Sequence, residues 1–124
     1  MKFNPRLSVI IYADDYKKLA DWYKKTFGLE VTDQLEMEND TYIGFMFGEN
    51  YFSIGKHSMV SGMNQDPMRI MINFSVPSVS EAYEELKDKD IEFIATPFEA
   101  PPGGFHAMTM YDPERNIIQI MGGK

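Results

Sequence analysis

The chain has 124 residues and a formal net charge of -7, with 44% hydrophobic residues, 14% aromatic residues and no cysteine. This length suits one hydrophobic core, and the lack of cysteine excludes a disulfide framework, a thiol nucleophile and a thiolate metal site. The acidic balance argues against a nucleic-acid partner, because such affinity depends on cationic contacts to phosphates. The sequence holds no apolar run near the roughly 20 residues of a membrane span and no apolar signal core at its start, so we expect a cytoplasmic protein without a membrane partner.

The first half of the sequence predicts one helix among four strands. Residues 6–12 are apolar and β-branched, as in a strand, and Asp14 or Asp15 then supplies a helix N-cap. The apolar face of the helix recurs at helical spacing through Leu19, Trp22, Tyr23 and Phe27. Gly28 fits the left-handed position that ends a helix. Three more strands are predicted over residues 29–35, 41–47 and 51–55, with turns at 38–40 and 48–50.

The second half repeats this order of elements after a linker. Residues 57–68 follow neither the helical nor the strand period and contain turn-forming residues, which indicates the linker. A strand over 69–76 precedes a capping box formed by Ser78 and Glu81, and the helix that follows is expected to end at Asp90. The remaining strands are predicted over residues 91–96, 105–111 and 117–121, with a loop at 97–104 and a tight turn at 112–116.

The two halves match as β-α-β-β-β modules, over about residues 5–56 and 69–122 of a single domain, residues 1–124. Residues 28–31 (GLEV), for example, correspond to residues 90–93 (DIEF). Because neither half can bury its sheet alone, we expect an α+β fold in which the modules pair into a strongly curved mixed sheet. The helices would lie on the convex side of this sheet and a hollow on the concave side. The alternative is an α+β sandwich in which the repeat is accidental.

Three stretches of this pattern resemble the vicinal oxygen chelate superfamily, the group of glyoxalases, bleomycin-resistance proteins and extradiol dioxygenases. They are the helix end at 22–29 (WYKKTFGL), the approach to the second helix at 75–78 (SVPS) and the last turn and strand at 111–120 (YDPERNIIQI). Arg115 departs from the family's usual glycine in that turn. We expect Asn116 to take the left-handed backbone conformation instead, since Asn tolerates it.

The resemblance implies metal ligands on the first and last strands of each module. In the enzymes of the group these are His, Glu or Gln, suited to a divalent ion with an open position for substrate. The corresponding residues here are Ser8, Ser53 (Gly55 if the strand slips by two), Met71 and Gln119. Ser is a poor neutral ligand and Met is a soft one, so only Gln119 keeps the chemistry of a ligand. We therefore predict no metal and no cofactor.

Other arrangements of reactive side chains have weaker support. The candidate ligands of a displaced metal site are His57, His106 and Glu99. They would need a loop closure that the sequence does not predict. Adjacent carboxylates are explained as helix caps at Asp14 and Asp15 and as a solvated helix face at Glu84 and Glu85. No carboxylate falls on an inward strand position, so general acid–base catalysis is not predicted.

Strand alternation predicts which side chains line the hollow. The predicted ligand-binding residues are Ser8, Ile10, Tyr12, Tyr51, Ser53, Met71, Asn73, Phe105, Gln119 and Met121. This lining is apolar, aromatic and rich in Met, with a few neutral hydrogen-bonding groups, which suits a small hydrophobic molecule. The net negative charge favours a cationic ligand among these.

These observations lead to one main hypothesis and two alternatives. The main hypothesis is a metal-independent small-molecule binding protein of the glyoxalase/bleomycin-resistance type, which sequesters a drug or toxin. The first alternative is an enzyme with a rearranged metal site, namely a glyoxalase-like lyase, an isomerase or a dioxygenase. The second alternative is a structural module whose hollow is filled by its own side chains. The resemblance also implies a homodimer.

Overall fold

The computed structural model describes residues 1–101 and 103–124, which form two compact units, Met1–Met63 and Asn64–Lys124. Each unit has the element order β-α-β-β-β and one four-stranded mixed sheet. The predicted α+β fold with two modules is therefore confirmed, while the pairing of the modules stays a prediction. Within the described ranges, no helix is long and apolar enough to cross a membrane.

The first unit contains one helix between the first and second of its four strands. Its elements are β1 (Ser8–Tyr12), α1 (Tyr16–Phe27), β2 (Val31–Met37), β3 (Asp40–Phe47) and β4 (Asn50–Gly55). The strand order across the sheet is β1-β4-β3-β2. β1 runs parallel to β4, and the other neighbours are antiparallel.

Helix α1 begins and ends where its capping residues place it. The Asp15 carboxylate accepts a hydrogen bond from the Lys18 amide at 3.2 Å, so Asp15 is the N-cap and Asp14 is not. Asp14 instead accepts a hydrogen bond from the Gly62 amide at 3.1 Å. Gly28 ends the helix with a φ of 66°, a left-handed conformation that costs Gly little because it has no Cβ.

The core of the first unit lies between α1 and one face of its sheet. The Tyr23 ring packs on the Phe52 ring with centroids 5.1 Å apart. Phe45, Phe52 and Ile54 are buried, and so is Leu19 on the helix. Burial of each such side chain stabilises the fold by about 1.5–3 kcal/mol, which fixes this face of the sheet as the helix-covered one.

The second unit repeats this architecture with different strand lengths. Its elements are β5 (Met71–Ser78), α2 (Val79–Leu86), β6 (Phe93–Ala100), β7 (Phe105–Tyr111) and β8 (Ile117–Gly123), preceded by a short 3-10 turn at Pro67–Arg69. The strand order is β5-β8-β7-β6, with β5 parallel to β8. Tyr83 of α2 packs against Phe93 with ring centroids 5.5 Å apart. The predicted N-cap is present, because Ser78 Oγ accepts from the Glu81 amide at 3.2 Å.

In the second unit the ends of α2 and β6 depart most from their predicted positions. Helix α2 ends at Leu86 rather than at Asp90, because the apolar face ends there and a charged segment follows. Strand β6 continues to Ala100, through part of the predicted 97–104 loop. β6 is an edge strand with a register shift between Ala95 and Phe98, and proline is tolerated at edges and bulges because it has no amide hydrogen to donate.

The turn between β7 and β8 also differs from the prediction. Arg115, and not Asn116, takes the left-handed conformation, with a φ of 65°. Asn116 is held by its neighbour instead: its amide and side chain donate to the two carboxylate oxygens of Asp112 at 2.9 and 2.8 Å. The Arg115 guanidinium lies 4.1 Å from the centroid of the Tyr111 ring, a cation–π contact that offsets part of the backbone strain.

The Asp112 carboxylate organises this turn and is only 3% exposed. It also accepts from the Glu114 amide at 2.8 Å. We predict that Asp112→Ala lowers the free energy of unfolding by about 2–3 kcal/mol, because charged hydrogen bonds are lost and buried donors are left without an acceptor. Urea denaturation measures the change. Asp90→Ala, which removes an exposed carboxylate, should stay within about 0.5 kcal/mol of the parent, and equal losses in the two variants would refute the assigned role.

Candidate functional site

The face of the first sheet opposite α1 is called the first open face here. Side chains alternate between the two faces of a strand, so residues that pair with Gly44 and Ser53 lie opposite the helix-covered Phe45 and Phe52. The first open face comprises Ser8, Ile10, Tyr12, Asp33, Leu35, Met37, Asp40, Tyr42, Gly44, Met46, Tyr51, Ser53 and Gly55. It includes the five residues of this unit that the sequence predicts to bind a ligand, although their role in binding stays a prediction.

A β-bulge at Thr32 brings a carboxylate onto this face. Val31 pairs with Phe45, whereas Asp33 pairs with the adjacent residue Gly44. Regular alternation would put Asp33 on the same face as Val31, towards the helix. The extra residue of the bulge shifts the alternation by one, so Asp33 lies on the first open face. The expectation that no carboxylate lies on such a position is therefore wrong.

The side chain of Tyr51 reaches across Gly44 to this carboxylate. Tyr51 Oη lies 3.0 Å from Asp33 Oδ1 and 2.9 Å from Oδ2, and its hydroxyl donates to that carboxylate. A Cβ on Gly44 would overlap both the Tyr51 hydroxyl and Asp33 Oδ1, and would lie 2.7 Å from Tyr51 Cζ. Gly44 is therefore the residue type that lets β4 and β2 interact over β3.

The surroundings of Asp33 keep the neighbouring hydroxyls protonated. Burial, the hydrogen bond to Asp33 and the charge of that carboxylate raise the pKa of Tyr51 to about 12. Burial and the same carboxylate also raise the pKa of Tyr42 above its usual range. Each factor disfavours a tyrosinate next to a negative charge or away from water. At neutral pH the hydroxyls of Tyr42 and Tyr51 are therefore uncharged.

Asp33 is solvent-exposed, and in the described chain it forms no ion pair with a basic side chain. Thr32 Oγ1 is its other neighbour, at 3.2 Å from Asp33 Oδ1 and 3.3 Å from the Gly44 carbonyl oxygen. At the opposite edge of the sheet the face is partly apolar, with Ile10 of β1 52% exposed and Tyr12 42% exposed. Ser53, on the inner strand β4 of the same face, is buried. The face thus combines a carboxylate, aromatic rings and exposed apolar surface.

The second open face is the face of the second sheet opposite α2. Asn73 pairs with Gln119, which in turn pairs with Thr109, so three neutral polar side chains form one row across the sheet. The five residues of this unit that the sequence predicts to bind a ligand share this face: Met71, Asn73, Phe105, Gln119 and Met121. Phe98 joins them, paired with Ala107. Their role in ligand binding likewise stays a prediction.

The positions at which the resemblance implies metal ligands do not carry a donor set for a divalent ion. Ser8 and Ser53 offer hydroxyls on the first open face, and Met71 and Gln119 offer a thioether and a carboxamide on the second. Divalent ions in proteins are held by combinations of imidazoles, thiolates and carboxylates. Among residues 1–101 and 103–124, no three His, Asp or Glu side chains gather so as to hold a metal ion.

Of the two histidines, His57 contacts the predicted lining at Tyr12, whereas His106 lies on the opposite face of its sheet. His57 packs edge-on against Tyr12 at 5.1 Å, and its Nδ1 accepts from the Met59 amide at 3.1 Å. His106 pairs across strands with Glu99, on the face of the second sheet that α2 covers. Neither imidazole belongs to the row of Asn73 and Gln119.

Several residues of the first open face lie outside the lining predicted from the sequence: Asp33, Leu35, Met37, Asp40, Tyr42, Gly44 and Met46. Of these, Asp33 and Asp40 are the acidic residues. Alternation from Val31 assigns Asp33 to the wrong face, since a bulge is not visible in the period of a single strand. Gly44 is the residue from which the bulge could have been suspected, because a glycine inside a strand indicates a bulge or the close approach of another group to the backbone.

The chain is similar to proteins of one superfamily. The family model described as Glyoxalase/Bleomycin resistance protein/Dioxygenase superfamily matches residues 6–120. The Bacillus subtilis (strain 168) protein YraH is 23% identical over 121 residues, which cover 92% of this chain and 94% of YraH.

TnmS3, an antibiotic binding protein from Streptomyces sp. CB03234, superposes with a TM-score of 0.78 at 13% identity, covering 100% of this chain and 99% of TnmS3. Lactoylglutathione lyase from Agrobacterium tumefaciens superposes with a TM-score of 0.72 at 19% identity, covering 94% and 92%. At these identities the structural matches show the fold alone.

The pKa of Tyr51 reports on the carboxylate beside it. We predict that Asp33→Asn lowers the pKa of Tyr51 from about 12 towards the ordinary value of 10.0, because the negative charge that opposes ionisation is removed while burial remains. An NMR titration with ring-labelled tyrosine measures it. Glu36→Gln removes a carboxylate from the same strand but from the opposite face, and should leave the pKa unchanged. A pKa that stays near 12 in Asp33→Asn would contradict the geometry.

A second prediction concerns the missing side chain of Gly44, which leaves space for the contact between Tyr51 and Asp33. We predict that Gly44→Ala displaces the Tyr51 hydroxyl from Asp33, because the new methyl group occupies the position of the hydrogen bond. The pKa of Tyr51 should then fall, as in Asp33→Asn, although Asp33 is still present. The same NMR titration detects the change. Gly103→Ala, in the second unit, is the matched control, and an unaltered pKa in Gly44→Ala would show that Tyr51 does not need this space.

Proposed function

Because the chain belongs to the glyoxalase/bleomycin resistance protein/dioxygenase superfamily, we propose that it binds a small organic molecule on its open faces without a bound metal ion. Both an antibiotic-binding protein and a lyase have this fold, so the fold does not choose between binding and catalysis. The choice depends on the side chains of the open faces. Those side chains favour binding.

The chemistry of the first open face is the observation that supports this proposal. Small-molecule sites combine apolar and aromatic lining with a few polar groups that orient the ligand. Ile10, Tyr12 and Met46 supply exposed apolar and aromatic surface, while the Tyr51–Asp33 pair supplies oriented polar atoms. The positions at which the resemblance implies metal ligands, namely Ser8, Ser53, Met71 and Gln119, lack the His and carboxylate side chains that a catalytic metal would need.

The ligand class follows from this composition. Met71 and Phe105 on the second open face are 43% and 49% exposed, so apolar surface is available on both units. A net charge of -7 attracts cations and repels anions over the range of electrostatic steering. We therefore propose a hydrophobic, preferably cationic ligand. Sequestration of a drug or toxin of this kind is the biological role that we propose.

Calorimetry on protein treated with a chelator tests the proposal directly. The probes are bleomycin, the flat cationic dye thioflavin T and the flat anionic dye anilinonaphthalene sulfonate. We predict that at least one cationic probe binds, more tightly than the anionic dye, and that chelation leaves the affinity unchanged. Ile10→Lys should weaken binding of the cationic probe roughly tenfold or more, since it replaces exposed apolar surface by an ammonium group that repels a like charge.

Val9→Lys is the control for this variant. Val9 is the neighbour of Ile10 on β1, lies on the opposite face and is 41% exposed, so its replacement should leave the affinities as they are. The absence of binding to all three probes would overturn the proposal. A divalent ion held tightly at one per chain, with binding lost when it is removed, would instead support the enzyme alternative.

A further inference from the structure

A carboxylate flanked by two tyrosines stands on the first open face. We propose that Asp33, Tyr42 and Tyr51 form a recognition site for an organic ammonium ion. This inference rests on the proposed function and names its ligand class. The site has three parts: an unpaired charge, aromatic surface beside it, and a backbone that leaves room for both.

The charge comes from Asp33. A carboxylate has about four acceptor positions, and the hydroxyls of Tyr51, Thr32 and Tyr42 can fill at most three of them. In the described chain no Lys or Arg side chain forms an ion pair with Asp33. An exposed carboxylate with free acceptor positions and no cationic partner can attract a cation from solution.

The aromatic surface comes from residues on both sides of Gly44. Tyr51 reaches over Gly44 from β4. Tyr42 lies two residues before Gly44 on β3, and its side chain is on the same face of the sheet. A further ring adjoins them: a Cβ on Gly55 would lie 3.4 Å from both Tyr12 and Tyr42 side-chain atoms. Aromatic faces attract organic cations through their quadrupole, and carboxylate and ring act together on a desolvated ammonium group.

The protonation of the tyrosines selects an organic cation over a metal ion. With the pKa of Tyr51 at about 12, its oxygen is a neutral hydroxyl at physiological pH and a weak ligand for a hard divalent ion. Asp33 alone does not make a metal site. A quaternary or alkylated ammonium ion needs neither tyrosinate nor several carboxylates, because its charge is spread over methyl groups that pack on rings.

The test compares two probes of the same shape and different charge. Choline and 3,3-dimethyl-1-butanol differ only in the replacement of the quaternary nitrogen by carbon. We predict that choline binds the full-length protein about tenfold more tightly than the alcohol, in line with a cation–π and charge contribution of about 1.4 kcal/mol. The measurement is NMR of ring-labelled tyrosine, in which the Tyr42 and Tyr51 signals should shift on titration.

Variants assign the preference to the residues. Asp33→Asn should reduce the tenfold preference to nearly equal binding, and Tyr42→Leu should weaken choline more than the alcohol. Glu36→Gln, on the opposite face of β2, should retain the full preference. Circular dichroism and urea denaturation confirm that each variant is folded.

Several outcomes would overturn the inference. They are equal binding of the two probes, no shift of either tyrosine signal with choline, an unchanged preference in Asp33→Asn, and displacement of choline by millimolar magnesium, which would indicate an inorganic cation site. None of these outcomes changes whether bleomycin or thioflavin T binds, or whether Ile10→Lys weakens that binding, which are the tests of the proposed function. Failure of this inference is therefore distinguishable from failure of the proposed function.

Discussion

The first open face depends on one contact, the hydrogen bond from Tyr51 to Asp33 across Gly44. Three conditions must hold together for it to form. The bulge at Thr32 must turn Asp33 away from the helix, Gly44 must lack a Cβ, and Tyr51 must keep its proton. The last condition is met because burial and the carboxylate itself both oppose ionisation of the tyrosine and raise its pKa. A change at any of these residues disturbs the contact between Tyr51 and Asp33.

The two units share an architecture but not a surface chemistry. In both, a helix covers one side of a four-stranded sheet with apolar side chains, so that side is determined by burial. The opposite side is free to differ. The first unit has a carboxylate beside tyrosines there, whereas the second has the neutral row of Asn73, Gln119 and Thr109. The two units therefore differ in the chemistry of their open faces and not in their fold.

Much of the local structure could be predicted because it depends on neighbours in the sequence. Asp15 and Ser78 cap their helices and Gly28 ends α1, since each acts on amides or dihedral angles within a few residues. Two errors have identifiable causes, one distant in the sequence and one local. Strand β6 extends to Ala100 because β7 pairs with it, and Arg115 takes the left-handed conformation because Asp112 holds Asn116.

The sequence by itself determined the doubled β-α-β-β-β order, the two helices and the set of alternating strand residues, such as Ser8, Ile10 and Tyr12, that share a face. These features follow from periodicity and local hydrogen bonding. Only the tertiary structure decided that Asp33 joins that face. A bulge exists only in the register between two strands, here β2 and β3, and a shift of one residue exchanges the faces of every side chain beyond it. The charge of the candidate site is for that reason a consequence of strand pairing.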